Sequence, residues 1–271
     1  VCSSDLFVCL YLVSIGCSSN HKIVDPVPVH EHFQLQSAAV NENRTINVWL
    51  PDGYSVSTDS LPVMYMADGG IEEDFPHIAN SFAALIRANK IPAFILVGIE
   101  NTQRRRDLTG PTTIASDKEI APVVGGAASF RKFLAMELIP EINKRYRTNA
   151  HKGILGESLS GLFVLETFFL QPGLFDYYIA FDPSLWWNNQ YLVNQSKALL
   201  TNPAISGKKV WFAGSGAEDI YIHTRKLADI FRKTALPNLT WMYSDEPNEE
   251  HSTIFRATKE KALIWTLSGA K

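Results

Sequence analysis

The chain has 271 residues, 46% of them hydrophobic, a net charge of −3 and a pI near 6.2. That length and apolar content suffice for the core of one large α/β domain, and the charge balance offers nothing to attract nucleic acid as a partner. No repeat, heptad or low-complexity run is visible, which removes solenoid and coiled-coil architectures.

Cys2, Cys9 and Cys17 are the three cysteines, all in the first segment. A body without cysteine excludes a disulfide-stapled fold, a cysteine nucleophile and a cysteine-rich zinc site. The apolar run Leu6–Gly16 is too short to span a bilayer but suits a signal-peptide core. It ends Ser14-Ile15-Gly16-Cys17-Ser18-Ser19-Asn20, which resembles a bacterial lipoprotein cleavage box with Cys17 as the lipidated residue. Ser14 stands where leucine is usual, and no basic region or methionine precedes the run. The expectation is a leader over 1–20, a polar, proline-containing linker over 21–30 and a single domain over 31–271. The protein would then be exported to a bacterial periplasm or tethered to a membrane through Cys17. His30 and His32 have the spacing of a metal pair but no acidic or cysteine partner nearby, so they read as a solvated entry to the first strand.

Phe33–Val40 and Thr45–Leu50 read as strands joined by the turn signal Asn41-Glu42-Asn43. Leu61–Ala67 is a buried-type strand that stops abruptly at Asp68-Gly69-Gly70, where glycine lets backbone approach a ligand. Ser81–Asn89 is helical, and Ala93–Ile99 is a continuous apolar strand of the parallel, doubly covered kind. The following loop, Glu100–Thr109, carries Arg104, Arg105 and Arg106 beside Asp107. Arg104 and Arg106 are candidates for holding an anionic substrate group; bracing of the loop by an Arg–Asp107 pair is the competing explanation. Thr113–Ala128 reads as a long lid-like loop, and Ser129 as the N-cap of a helix over Phe130–Arg147, with Phe133, Leu134, Leu138 and Ile142 at helical spacing.

Lys152–Phe163 is the stretch with the clearest chemistry. It reads as a short strand, a sharp turn with Ser158 at its tip and an immediate helix over Gly161–Gln171. This is the G-x-S-x-G nucleophile elbow, with Ser160 in place of the second glycine. Such a turn lifts the hydroxyl beside a helix N-terminus whose free N–H groups can hold an oxyanion. Leu159 is one candidate donor, and Gly69 or Gly70 in the earlier loop is the second. Strand Tyr177–Asp182 precedes a loop with Trp186 and Trp187, which either plug the core or wall a substrate pocket. Strand Lys208–Gly214, helix Ile220–Thr234, strand Leu239–Ser244 and a terminal helix Ser252–Leu267 complete the pattern. Alternating strands and helices imply a mostly parallel sheet with right-handed crossovers.

A serine nucleophile needs a base, and the base needs an orienting acid. On this fold the chain order is Ser, then Asp or Glu, then His. His21, His30, His32, His77 and His151 precede Ser158, and His223 falls inside a predicted helix, which leaves His251. Glu218 and Asp219 follow the penultimate strand, the usual place for the acid; Asp182 lies one strand earlier. The expected order of preference is Glu218, Asp219, Asp182.

Taken together, Met66-Ala67-Asp68-Gly69-Gly70, Asn101–Thr109, Gly156–Phe163, Pro183-Ser184-Leu185-Trp186-Trp187 and Glu250-His251-Ser252 resemble, in the same order, the "putative esterase" family of α/β-hydrolases. That branch contains enterochelin-type siderophore esterases and esterase D-like enzymes. The resemblance covers about Phe33–Leu267. It implies an α/β-hydrolase fold and cofactor-free, metal-free hydrolysis of carboxylic esters, such as siderophore-type, small acyl or acylated-glycan esters. In that branch the acid is often a glutamate after the penultimate strand, which supports Glu218. Glu157 stands where histidine commonly precedes the nucleophile. An acyltransferase with the same triad, or a lipid-anchored ligand-binding protein on a hydrolase scaffold, are the alternatives.

Overall fold

The computed structural model describes residues 25–120 and 122–270. The leader, Cys17 and the first part of the linker lie outside the described residues. Among those residues no helix is long and apolar enough to cross a membrane.

Eight strands build one sheet: β1 (Glu31–Ser37), β2 (Glu42–Trp49), β3 (Leu61–Met66), β4 (Ile95–Ile99), β5 (Thr148–Glu157), β6 (Tyr177–Phe181), β7 (Lys209–Ser215) and β8 (Thr240–Glu246). Their spatial order is β1-β2-β4-β3-β5-β6-β7-β8. The β1–β2 and β2–β4 pairs are antiparallel, and every pair from β4 to β8 is parallel. The difference follows from the connections: a four-residue turn joins β1 to β2, whereas parallel neighbours need a crossover, usually a helix.

The parallel strands are apolar on both sides because helices cover both faces. On one face Val63, Tyr65, Val97, Tyr178, Ala180, Val210 and Phe212 pack beneath α4 (Ala127–Phe133), α6 (Leu159–Leu170) and α8 (Glu218–Lys233). The intervening residues Met64, Met66, Leu96, Ile179, Phe181 and Trp211 turn to the other face, under α1 (Phe75–Arg87) and α9 (Ile254–Leu267). A strand alternates its side chains, so two full cores require near-continuous hydrophobic runs.

Several boundaries differ from the sequence expectation. The β1–β2 turn spans 38–41 rather than 41–43, with Asn41 in the left-handed region at φ 54°. Helix α1 starts at Phe75, not Ser81, because Pro76 suits a first helical turn and Phe75, Ile78, Ala79, Phe82 and Leu85 form one buried stripe. Ser129 is not a cap: α4 begins at Ala127, with Gly126 at the cap position. The predicted long helix is broken into α4, a π-helical turn over Leu134–Leu138 and α5 (Ile139–Arg145). Pro140, which cannot donate to residue 136, follows directly on that widened turn. The arginine loop contains α2 (Arg104–Leu108), the expected lid loop contains α3 (Ala115–Ile120), and α7 (Trp187–Leu199) follows the tryptophan pair.

Close packing at the elbow explains which of its positions must be glycine. A Cβ on Gly156 would lie 2.0 Å from Ser160 Oγ, and one on Gly161 would lie 2.8 Å from Phe181 O. The close approach to the next strand therefore falls on Gly161, and Ser160 is accommodated beside Gly156. Its side-chain oxygen is buried without a hydrogen-bond partner among the described residues. Opposite outcomes are expected at these adjacent positions in urea unfolding. Gly161→Ala should cost about 1–3 kcal/mol through overpacking, while Ser160→Ala should gain about 1 kcal/mol by removing an unpaired buried hydroxyl.

Candidate active site

Ser158 joins β5 to α6 with φ 60° and ψ −119°, a strained conformation for a residue with a Cβ. Hydrogen bonds on both sides hold it there. Its N–H donates to Phe181 O at 2.9 Å, and its carbonyl accepts from Leu162 N at 2.9 Å and Ser184 N at 3.1 Å. Strain of this kind costs on the order of 1–3 kcal/mol and persists only where the surroundings over-determine it.

The strained turn aims Ser158 Oγ at His251 Nε2, 3.1 Å away, and Ser184 Oγ lies 3.3 Å from the same hydroxyl. His251 sits in the turn between β8 and α9. That turn is tied back to the end of β7, where Gly216 N–H donates to Glu249 O at 2.9 Å. A side chain at Gly216 would collide with Pro247 O, so the two loops touch backbone to backbone.

His251 Nδ1 lies 2.6 Å from Asp182 Oδ2. Asp182 is completely buried and held by the residue that ends β7: Ser215 N–H donates to Oδ1 at 2.6 Å and Ser215 Oγ–H to Oδ2 at 2.8 Å. A buried carboxylate is tolerable only with this kind of satisfaction. The preference among acids is thereby corrected, since Asp182, ranked third, is the carboxylate on His251. Glu218 and Asp219 have no hydrogen bond to the imidazole among the described residues. Only Gly216 and Ala217 separate β7 from α8, so both carboxylates fall in the exposed first turn of that helix, where the dipole favours them. Asp219 acts on His251 only through its charge, a minor contribution. The hydrogen bond to Asp182 is the main reason the imidazole pKa is raised above its ordinary value.

Leu159 is the first residue of α6, so its N–H has no carbonyl in the preceding helical turn to bind and is available for an oxyanion. The glycine donors fare differently. Gly69 N–H is spent on Ile99 O at 3.0 Å, where a Cβ would overlap the β4 backbone. Its glycine is a packing requirement, which removes it as a donor. Gly70 N–H donates to Glu73 Oε2 at 2.7 Å, so a substrate oxygen must displace that carboxylate to use it.

The arginine loop braces itself. Arg106 donates Nε to Asp107 Oδ1 at 2.7 Å, and Nη1 and Nη2 to Glu42 at 2.6 and 3.0 Å. Asp107 also pairs with the buried Arg44 on β2. Arg106 is thus committed to the scaffold and is not a free anion-binding group. Arg104 grips Asp68 with two hydrogen bonds, Nε to Oδ1 at 2.6 Å and Nη2 to Oδ2 at 2.8 Å.

Of the tryptophan pair, Trp187 is buried and donates Nε1–H to Gly110 O at 3.0 Å, while Trp186 is half-buried against the same core. After Trp187 the chain makes a left-handed turn, with Asn188, Asn189 and Gln190 at φ 49°, 52° and 59°. The buried Asp117 anchors it, accepting from Asn188 N–H at 2.9 Å and Thr112 Oγ1–H at 2.6 Å. Trp187 walls a cavity of about 530 Å³ with Pro111, Leu162, Leu170 and Leu192, which runs along α6 starting one turn past Ser158. A cavity of about 670 Å³ between β2 and α1 touches none of the candidate residues.

Ser215 and Ser184 escaped the sequence reading. Ser215 is the last residue of β7 and Ser184 lies three residues past β6, and nothing local distinguishes either from a turn serine.

A model of the family described as "Putative esterase" matches residues 37–262. The ferri-bacillibactin esterase of Bacillus subtilis is 31% identical over 188 residues, covering 58% of this chain and 59% of that protein. The siderophore triacetylfusarinine C esterase of Aspergillus fumigatus is 31% identical over 198 residues, covering 67% and 64%. The aligned part thus spans about three fifths of the length of these relatives. Among solved structures, an IroE-like serine hydrolase from Shewanella oneidensis superposes with a TM-score of 0.81 at 26% identity, covering 89% of this chain and 80% of that one. The sheet order, the elbow and the family match agree: the chain has the α/β-hydrolase fold and belongs to the "Putative esterase" family.

Proposed function

We propose that the protein is a serine hydrolase of carboxylic esters, with siderophore-type esters as its substrate class. The reading is carried by one observation, the continuous hydrogen-bonded line from Ser158 Oγ through His251 to the buried Asp182. The names of the relatives, esterases of bacillibactin and triacetylfusarinine C, supply the substrate class.

In this reading Ser158 Oγ attacks the ester carbonyl as His251 Nε2 takes its proton. Asp182 fixes the Nδ1–H tautomer and stabilises the imidazolium. The oxyanion is held by Leu159 N–H, with Gly70 N–H joining once Glu73 yields it. The tetrahedral intermediate collapses, the alcohol leaves with the proton from His251, and Ser158 is acylated. Water, deprotonated by His251, then attacks the acyl-enzyme and releases the acid. An alcohol in place of water would make the enzyme an acyltransferase, and small acyl or acylated-glycan esters could enter by the same route. The leader-like segment ending at Cys17 supports an exported, lipid-tethered form.

Ser158→Ala should abolish both p-nitrophenyl butyrate turnover and fluorophosphonate labelling, with a loss in kcat on the order of 10⁴–10⁶-fold. Equal activity in both proteins, or neither turnover nor label in the wild type, would instead favour a ligand-binding protein. Asp182→Asn should lower kcat by about 10³–10⁴-fold by releasing the wrong imidazole tautomer, whereas Glu218→Gln, a surface change, should stay within about twofold. The reverse ranking in steady-state kinetics would return the acid to Glu218. The pH dependence has a definite sign. The base must be neutral and Asp182 favours its charged form, so activity is lost as pH falls through a raised His251 pKa. The acidic limb of kcat/KM should therefore lie above 6.5, the ordinary imidazole value. Weakened activity in Asp182→Asn should show a lower limb.

A further inference from the structure

We propose that Ser184 is a further catalytic residue: its hydroxyl donates a hydrogen bond to Ser158 Oγ and stabilises the charge that gathers on that oxygen as its bond to the substrate forms and breaks. The proposal rests on the ester-hydrolase reading and adds to it a group that acts on the nucleophile itself.

The direction of this bond follows from counting protons. Asp182 accepts from Ser215 at both oxygens, from N–H on Oδ1 and from Oγ–H on Oδ2. A carboxylate has no hydrogen to give, so His251 Nδ1, 2.6 Å from Oδ2, carries the one between them. The neutral imidazole then offers only an acceptor at Nε2, and the single hydrogen of Ser158 Oγ points there across 3.1 Å. Ser158 has nothing left to donate to Ser184 Oγ, 3.3 Å away, so the Ser184 hydroxyl is the donor. That hydroxyl makes no other hydrogen bond among the described residues.

The elbow holds Ser184 in this position. Its N–H donates to Ser158 O at 3.1 Å, and its carbonyl accepts from Trp187 N–H at 3.2 Å. Gly161 packs on the same turn, where a Cβ would come within 3.2 Å of Pro183 Cα. Ser184 is 2% exposed, which leaves bulk water little room to replace it. One lone pair of Ser158 Oγ therefore faces Ser184, its hydrogen faces His251, and the second lone pair is left for the ester carbonyl.

A separation of 3.3 Å is long for two hydroxyls and contributes little at rest. As His251 takes the proton, Oγ moves towards an alkoxide, and a hydrogen bond to an ionised oxygen is shorter and stronger. Only an interaction that strengthens on the way to the transition state accelerates the step. The Ser158 proton goes to Nε2, the free Oγ lone pair bonds the carbonyl carbon, and the carbonyl π pair moves to the oxyanion. Ser184 keeps its own hydrogen throughout. In deacylation the Oγ–C bond breaks and its electron pair returns to Oγ, where Ser184 donates to it until His251 hands back the proton.

Ser184→Ala removes the hydroxyl and keeps the backbone N–H on Ser158 O. Two electrophiles read the change. Stopped-flow with p-nitrophenyl butyrate gives the acylation rate constant and, from its saturation, the substrate dissociation constant; a fluorophosphonate gives an inactivation rate constant. The two reagents differ in the atom attacked and share the nucleophile. Both rate constants should fall about 10–100-fold, as expected for one hydrogen bond to a charged group. The dissociation constant should stay within about twofold. The acidic limb should remain at its wild-type position, because Ser184 makes no hydrogen bond to His251 or Asp182 among the described residues. Tm should fall by less than in Gly161→Ala, which disturbs the packing of the elbow itself. Either rate constant within about twofold of wild type overturns the role. So does a loss that comes with a displaced acidic limb, or with a Tm drop as large as that of Gly161→Ala. Wild-type protein that neither releases p-nitrophenolate nor takes the label overturns the hydrolase reading beneath it.

Discussion

The geometry around Ser158 depends on hydrogen bonds between the elbow and the end of β6. Phe181 accepts the Ser158 N–H, Ser184 donates to the Ser158 carbonyl, and Asp182 between them reaches His251. Three residues at one strand end thus fix the nucleophile's backbone, orient the base and lead into the tryptophan turn. Asp182 itself has φ 45°, so two strained residues stand side by side on neighbouring parallel strands. Ser158 is held by Phe181, Leu162 and Ser184, and Asp182 donates its N–H to Ala213 O on β7 at 3.1 Å. The elbow packs with almost no spare space, through Gly161 against the Phe181 carbonyl. The ends of the parallel strands position Ser158 and Asp182, and the turn before α9 supplies His251.

This arrangement explains which parts of the site could be read in advance. Ser158 was legible because a strand, a sharp small-residue turn and a helix are all local events, visible in Lys152–Phe163. His251 followed from chain order once the other histidines were eliminated. The acid was not legible in the same way. Placing it at Glu218 assumed a loop after β7 long enough to swing a carboxylate over the base. The helix instead starts at Glu218. A long-range partner, Ser215, makes Asp182 the buried carboxylate, and no local pattern encodes that contact. The Gly69 assignment failed for a related reason: its glycine serves the backbone of β4.

The fold was legible in outline because the buried parallel strands are near-continuous apolar runs, and those runs resist misreading. Helix starts were less so. Pro76 and His77 hid the beginning of α1, and the π-helical turn before Pro140 broke a pattern that looked uniform in sequence. The arginine loop shows how composition can mislead. Three consecutive arginines suggest anion binding, yet the buried Arg44–Asp107 pair recruits Arg106 into a network that anchors α2 to β2. Those charges are spent inside the protein.

The position of His251 has a consequence for how activity is lost on warming. It is separated from Ser158 by 93 residues and from Asp182 by 69, and its turn hangs between the last strand, at the open edge of the sheet, and α9. Sheet edges and terminal helices open with less free energy than the strands at the centre. Partial undocking of α9 therefore separates base from nucleophile while β3 to β7 keep their pairing. Heat inactivation reports first on the attachment of the C-terminal segment, and only at higher temperature on the melting of the sheet that holds Ser158.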